Sequence, residues 1–408
     1  MTSRPAASEG APRTTLLASP RLLPILVLAV GLPSYASLIV MGLMTERLAF
    51  PSGGILGGDH TAIWTAARGV WNGDYPGLYD AAAFEAALQR LGTPEERFGL
   101  TWQYPPHAML VLAPFGLLPY LVSYAVFALG GLAAFAVSLR RGAGATWRTA
   151  LLVLAAPVLF QAVVCGQTGA FVGALMIGAL VMPDRRPLIA GLCAGLLTVK
   201  PQLGVLIPVA YLAGGHGRAF AAAAATTLAL VGGSLVLFGA EAWALFLGQI
   251  LGVTEMVGDA VYPLHKMVTV FAAARTLGLP EAVAAALQIL AALTACVLCW
   301  RLWRGQRPIT ERAALTAGLA FLCTPYAYHY DASVLALPYL LAARGVSVET
   351  PGRLAALAAC FMTPMWMTGA FSAVGAQLGL GAVLLVTLLA ARPDLLSRRV
   401  PLGSPAAA

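Results

Sequence analysis

Four stretches of this chain, Leu22 to Leu43, Val122 to Leu139, Phe220 to Phe238 and Ala282 to Cys299, run without a single charged residue. Each is long enough to cross ~30 Å of hydrocarbon as a helix. No other feature constrains the fold as tightly, because backbone inside a bilayer must satisfy its own N–H and C=O groups. The runs lack the apolar and polar alternation of membrane barrel strands, so the expected class is all-α, a polytopic integral membrane protein. The chain is 59% hydrophobic and only 10% charged, which leaves too little polar surface for a water-soluble alternative.

With the N-terminus inside, spans fall near 22–43, 120–139, 149–164, 168–182, 187–198, 202–213, 218–239, 281–300, 310–323, 332–343, 354–367 and 370–391. All but seven of the 25 Lys+Arg then lie on the cytoplasmic side; the seven are Arg47, Arg68, Arg90, Arg97, Lys200, Lys266 and Arg275. That bias explains the net charge of +8 as topology anchoring, so no nucleic-acid partner is expected. Residues 106–118 and 267–277 are apolar but short, and a re-entrant or interfacial helix at each keeps the charges consistent. Residues 1–21 read as a disordered cytoplasmic tail, 22–392 as one transmembrane domain and 393–408 as a second tail. The first outer loop, 44–105, carries two interfacial helices. Ile63, Trp64, Ala67, Val70 and Trp71 recur at helical spacing in the first, with both tryptophans suited to a membrane interface. Asp80 caps the second, whose apolar side is Phe84, Leu88 and Leu91. The CxxC spacing Cys296 to Cys299 sits in a continuous helical run with no other soft ligand, so it reads as packing.

The polar signatures gather on the outer side. Asp59 follows Gly57-Gly58, which allow close backbone approach, and precedes an interfacial helix. It reads as an N-cap or as a functional carboxylate, and both can hold. His60 adjoins it, and Arg68 lies further along the same helix. Tyr104-Pro105-Pro106-His107 fixes where a helix begins. Gly166-Gln167-Thr168 offers an amide and a hydroxyl at a helix junction, where ordinary caps are the plainer reading. Lys200 is the first of only two lysines and stands before Pro201-Gln202 at a helix break. It either snorkels to water or joins helical amides in holding an anion. Lys266, beside His265, is the second, and two lone lysines on one side suggest a phosphate site. In Thr324-Pro325-Tyr326 to Tyr330-Asp331, Asp331 reads as a cap or a functional carboxylate. His329 reads as a proton acceptor near pH 7.

In these residues the chain resembles glycosyltransferase family 87, the polyprenol-phosphate-mannose-dependent mannosyltransferase-like membrane proteins of the GT-C superfamily. The resemblance runs through Asp59 with Trp64-Thr65-Ala66-Ala67, Gly73 to Tyr79-Asp80, Tyr104-Pro105-Pro106 and Leu117 to Tyr120. It continues through Gly166-Gln167, Lys200-Pro201-Gln202, Lys266-Met267 with Val270-Phe271, and Thr324-Pro325-Tyr326 with Tyr330-Asp331. It implies a GT-C fold with about 10–12 transmembrane helices plus short re-entrant helices. It further implies a polyprenyl-phosphate sugar donor, a lipid or glycan acceptor, and transfer at the extracytoplasmic face of a cell inner or plasma membrane. Asp59 is the implied catalytic base. Family members often carry an aromatic where this chain has His60, and there is no DxD pair to hold a divalent metal. No cofactor is expected.

A single displacement suits these groups. Asp59 takes the acceptor proton, with His329 and Asp331 as further catalytic candidates. Lys200, Lys266 and Arg68 meet the charge of the departing lipid phosphate. His60, Tyr104, His107, Gln167, Gln202, His265, Tyr326 and Tyr330 complete the substrate-binding candidates. The rival classes are a transporter or flippase of lipid-linked sugar, which would place ionisable groups near the bilayer midplane, a structural or assembly subunit, and a ligase using a diphosphate-linked oligosaccharide.

Overall fold

The computed structural model describes residues 27–43, 56–90, 102–258, 263–344, 346 and 350–396. The expected tail 1–21 and nearly all of 393–408 lie outside them, as do the outer-loop residues 44–55 and 91–101. Every named element among the described residues is helical, and the single β-bridge joins Met267 to Tyr328. The all-α class expected from the apolar runs is what the chain adopts.

After α1 (Leu32–Leu43), the outer loop forms α2 (His60–Asn72) and α3 (Ala81–Gln89). Asp80 caps α3 as expected, its carboxylate accepting from the Ala83 N–H at 2.7 Å. Trp64 departs from expectation. It is buried, donates its indole N–H to the Leu118 carbonyl at 2.9 Å and stands edge-on to Tyr120. Trp71 is exposed, yet its N–H also turns inward, to the Ala113 carbonyl at 2.7 Å. Both indoles serve the irregular carbonyls of the next segment, whose backbone cannot satisfy itself.

That segment is α4 (Ala108–Leu112) with a 3-10 turn, Ala113–Leu117. Ten residues are too few to cross a bilayer, and the segment lies along α2 instead. Ile63, Phe84, Trp102 and Met109 knit the loop to Phe127 of α5 (Tyr120–Arg141).

α6 (Trp147–Val153) and α7 (Pro157–Val164) form one apolar stretch bent by 56°. Pro157 explains the bend, since it forces Ala156 into extended backbone and withholds a helical N–H. α8 (Gly169–Val181) is almost wholly buried. α9 (Pro187–Leu196) then meets Lys200, whose backbone leaves the helical region at φ −125° and ψ 74° as the residue before Pro201, and the chain turns into α10 (Pro201–Gly204) and α11 (Leu206–Ala213). α12 (Gly217–Gly258) is broken at Gly239, at φ 79° and ψ 168°. α13 (Val270–Thr276) is short, like the other segment expected to be re-entrant.

α14 (Glu281–Arg304) and α15 (Ile309–Cys323) lead to a 3-10 turn, His329–Leu335, then α16 (Ala336–Ala342), α17 (Pro351–Thr368) and α18 (Gly375–Ala391). The largest core runs between α5, α8, α11, α14 and α15, through Phe135, Ile177, Tyr211, Trp303 and Phe321. By length and composition four described helices can cross a membrane, or five if the bent pair is one span; most of the remaining apolar helices are shorter. None of the six cysteines is in a disulfide.

Candidate active site

Asp59 owes its place to three glycines. Its N–H donates to the Cys165 carbonyl at 2.7 Å, which lays residues 57–59 directly on residues 165–166. A Cβ on Gly58 would meet Cys165 backbone at 2.8 Å, and one on Gly166 would fall on the Gly57 carbonyl. Gly57, Gly58 and Gly166 all have positive φ, which side-chain-bearing residues adopt only at a cost. The expectation that the glycines permit close approach is met, and residues 165–166 are the partner.

Asp59 stands at the N-cap position of α2 but makes no side-chain capping bond. Its carboxylate instead accepts from Gln167 Nε2 at 2.9 Å. Gln167 is thereby more than a cap. Its Oε1 accepts from the Tyr104 hydroxyl at 2.9 Å, and that hydroxyl lies 3.2 Å from Thr168 Oγ1. Thr168 likewise makes no capping bond to α8. Tyr104 is held from behind, its carbonyl accepting from the Tyr79 hydroxyl at 2.9 Å while its ring leans on Trp102.

Across Tyr104 lies the second half of the cluster. Lys200 Nζ sits 5.7 Å from the Tyr104 ring centre and 5.1 Å from that of Tyr330. It donates to Asp331 Oδ1 at 2.7 Å, both side chains being almost fully buried. Asp331 Oδ2 accepts from the Tyr328 N–H at 3.2 Å; Tyr328, not Asp331, stands at the N-cap, and Asp331 completes the capping box from the third position of the turn while it holds the ion pair. Burial alone would lower the Lys200 ammonium, but Asp331, with Tyr104 behind it, outweighs burial and lifts it above its ordinary value. Burial raises the Tyr104 and Tyr330 phenols, so both stay neutral. Five segments, ending in Asp59, Tyr104, Gln167, Lys200 and Asp331, thus form one continuous polar string.

The second lysine meets the same turn from its other side. The bridge between Met267 and Tyr328 lays residues 266–268 against 327–329, and His329 Nδ1 lies 3.3 Å from the Lys266 carbonyl. Lys266 and His265 are half-buried, and among the described residues Lys266 makes no ion pair. Tyr326 donates its hydroxyl to Gln103 Oε1 at 2.8 Å, tying the turn to the residue before Tyr104.

Other candidates stand apart. His60 is fully buried among Tyr120, Tyr124 and Phe127, with Nε2 3.0 Å from Ser123 Oγ. Its ring fastens α2 to α5, and burial holds it down to about 4, hence neutral. Arg68 is exposed and stacks on Trp64, more than two turns along α2 from Asp59. His107 is buried, stacked on Trp243 with Nε2 3.1 Å from Thr198 Oγ1, which ties α4 to the turn bearing Lys200. Gln202 is half-buried on α10. His329 is 1% exposed, and burial, helped by the Lys266 charge against the opposing hydrogen bond to its carbonyl, keeps it neutral down to about 4. Its Nε2 is buried and has no hydrogen-bond partner among the described residues.

Sequence reasoning missed Tyr79, Tyr328 and Gln103, which hold Tyr104, Asp331 and Tyr326. Tyr79 and Tyr328 stood within quoted motifs, but nothing local marked which partners they would find. Among the described residues no group of three His, Cys, Asp or Glu could hold a metal ion.

The sequence model of glycosyltransferase family 87 matches residues 102–325, over half of the chain. The match covers Tyr104, Gln167, Lys200 and Lys266; Asp59 and Asp331 flank it. No curated protein and no solved structure matches.

Proposed function

The chain belongs to glycosyltransferase family 87, and we propose that it transfers a hexose, mannose first among them, from a polyprenyl-phosphate donor to a lipid or glycan hydroxyl at the extracytoplasmic face. The observation that carries this is Asp59, a half-buried carboxylate that makes no capping bond and is aimed by Gln167.

The acceptor hydroxyl hardly ionises at neutral pH, so a base must take its proton as the oxygen attacks the anomeric carbon. Asp59 takes that proton. The new glycosidic bond forms as the bond from the anomeric carbon to the phosphate oxygen breaks, and the polyprenyl phosphate leaves with the electron pair as an anion. One displacement inverts the anomeric centre. The leaving phosphate needs positive charge rather than a proton. Lys266 supplies it most directly, because the Lys200 charge is already met by Asp331. Lys200 and Asp331 together hold Tyr104 and Tyr330 in place, and a donor phosphate can draw the ammonium toward itself. The Arg68 and His60 roles expected from sequence find no support, since one is exposed far along α2 and the other is sealed against α5.

The extracytoplasmic placement rests on the distribution of basic residues. Asp74→Cys in a cysteine-free background should react with an impermeant thiol reagent added outside, and Gln306→Cys only after permeabilisation. The catalytic test is Asp59→Asn, assayed with labelled polyprenyl-phosphate mannose. Transfer should fall by ~10²–10⁴ while donor binding and melting temperature stay near those of the native chain. Near-normal turnover by a folded, donor-binding variant would overturn Asp59 as the base.

A further inference from the structure

Thr168, Tyr104, Gln167 and Asp59 form a line of hydrogen bonds in which every proton points the same way. A carboxylate can only accept, so the Gln167 amide turns Nε2 toward Asp59 Oδ2, 2.9 Å away. That leaves Oε1 facing the Tyr104 hydroxyl. A carbonyl oxygen also can only accept, so Tyr104 is the donor there, at 2.9 Å. The single hydroxyl proton of Tyr104 is thereby committed, and across the 3.2 Å to Thr168 Oγ1 the threonine donates. Thr168 is buried and makes no capping bond to α8, which leaves its hydroxyl for Tyr104. Among the described residues, the one other donor to Gln167 Oε1 is the Thr168 N–H, at a long 3.4 Å.

A glutamine amide has two orientations of nearly equal shape, and only one of them serves a base. Turned over, it would set its oxygen against the carboxylate and its NH2 against the Thr168 N–H. In the orientation present, Oε1 takes its short bond from Tyr104 and its long one from that N–H. Without the Tyr104 hydroxyl, only the long bond would hold the amide from behind. We infer that Tyr104 is a positioning residue: its hydroxyl, backed by Thr168, fixes the Gln167 amide in the orientation that donates to Asp59. This role rests on Asp59 being the base of the transfer proposed above. It replaces the substrate contact expected of Tyr104 from sequence, because the hydroxyl proton is already engaged, and the ring packs with Trp102 and the Lys200 ammonium.

Tyr104→Phe removes the hydroxyl and keeps the ring. The assay uses the purified full-length chain with labelled polyprenyl-phosphate mannose and a native membrane extract as the source of acceptor. Turnover at saturating donor should fall roughly fivefold, the worth of one neutral hydrogen bond, while donor Kd stays at the native value. Thr168→Val removes only the far donor and should lower turnover in the same direction, by about twofold; added to Tyr104→Phe it should change nothing further. In a Gln167→Leu background Tyr104→Phe should have no effect on turnover, since no amide is left to orient. An equal fivefold loss in that background would overturn the proposal, and so would a loss carried by donor Kd alone, which would make Tyr104 a substrate contact. The same cycle can be read without catalysis: Tyr104→Phe should lower the melting temperature of the native chain more than that of Gln167→Leu, and equal losses would also overturn the proposal. Near-normal turnover by Asp59→Asn would remove the base rather than the hold of Tyr104 on Gln167, and the melting cycle would then decide that hold.

Discussion

Breaking the Lys200–Asp331 pair is the sharpest available test of how the polar string is held. The two side chains are 9% and 2% exposed and 2.7 Å apart, so neither charge has water to fall back on. Removing one member of a buried pair strands the other, at about 3–5 kcal/mol. For Asp331→Asn the stranded ammonium keeps the Tyr104 and Tyr330 rings, which return about 0.5–2 kcal/mol. The expected loss is therefore about 3 kcal/mol. Lys200→Met strands a carboxylate whose other bond, from the Tyr328 N–H, is the longer one, so its loss should be larger, about 4 kcal/mol. In Lys200→Met with Asp331→Asn no charge remains, and the asparagine oxygen still accepts from Tyr328. That variant should lose only about 1 kcal/mol. Equilibrium unfolding in mixed micelles closes the double-mutant cycle, and those losses imply a coupling of about 6 kcal/mol. Single losses below about 1 kcal/mol that simply add would be those of a water-screened pair and would refute the reasoning.

Further outcomes follow from the same geometry. Gln167→Leu removes a charge-assisted bond of about 1.5–3 kcal/mol, so turnover should drop ~10–100-fold while donor Kd barely moves; an unchanged kcat would deny Gln167 its hold on Asp59. Gly166→Ala drives a methyl onto the Gly57 carbonyl and should prevent accumulation of folded protein. Gly73→Ala has open space and only its φ of 76° to bear, so a melting curve should register about 1 kcal/mol. His60 and His329 stay neutral in the folded chain down to about 4, whereas the unfolded chain takes up those protons near 6.5. Stability should therefore fall as pH drops from 6.5 toward 4, by about 1.4 kcal/mol per pH unit for each histidine. Melting temperatures at pH 7 and pH 5 measure this, and His60→Gln should flatten the slope.

What could be read from the residues in order was local. Apolar length located the helices, Asp80 announced its cap, and the shortness of residues 106–118 argued against a crossing. The glycines around Asp59 said that something must come close. They could not say that it was residues 165–166, because strand-like or helical periodicity carries no information about partners a hundred residues away. His60 shows the same gap: its neighbour Asp59 suggested a shared role, yet a helix turns consecutive side chains about 100° apart, and this one points to Ser123. Lys200 was conspicuous by rarity, but its carboxylate partner was legible only once α10 and the 3-10 turn stood side by side.

The separation of that pair along the chain, 131 residues, also bears on how the protein is made. At ~5–20 residues per second of synthesis, Lys200 emerges from the ribosome roughly 7–26 s before Asp331 does. For that interval the ammonium sits at the tip of a helical hairpin with no carboxylate to meet it. The hairpin must wait near water or inside the insertion machinery, and it can settle only after the turn bearing Asp331 arrives. A chain cut short before Asp331 would carry an uncompensated charge into lipid, which is the kind of defect membrane quality control detects.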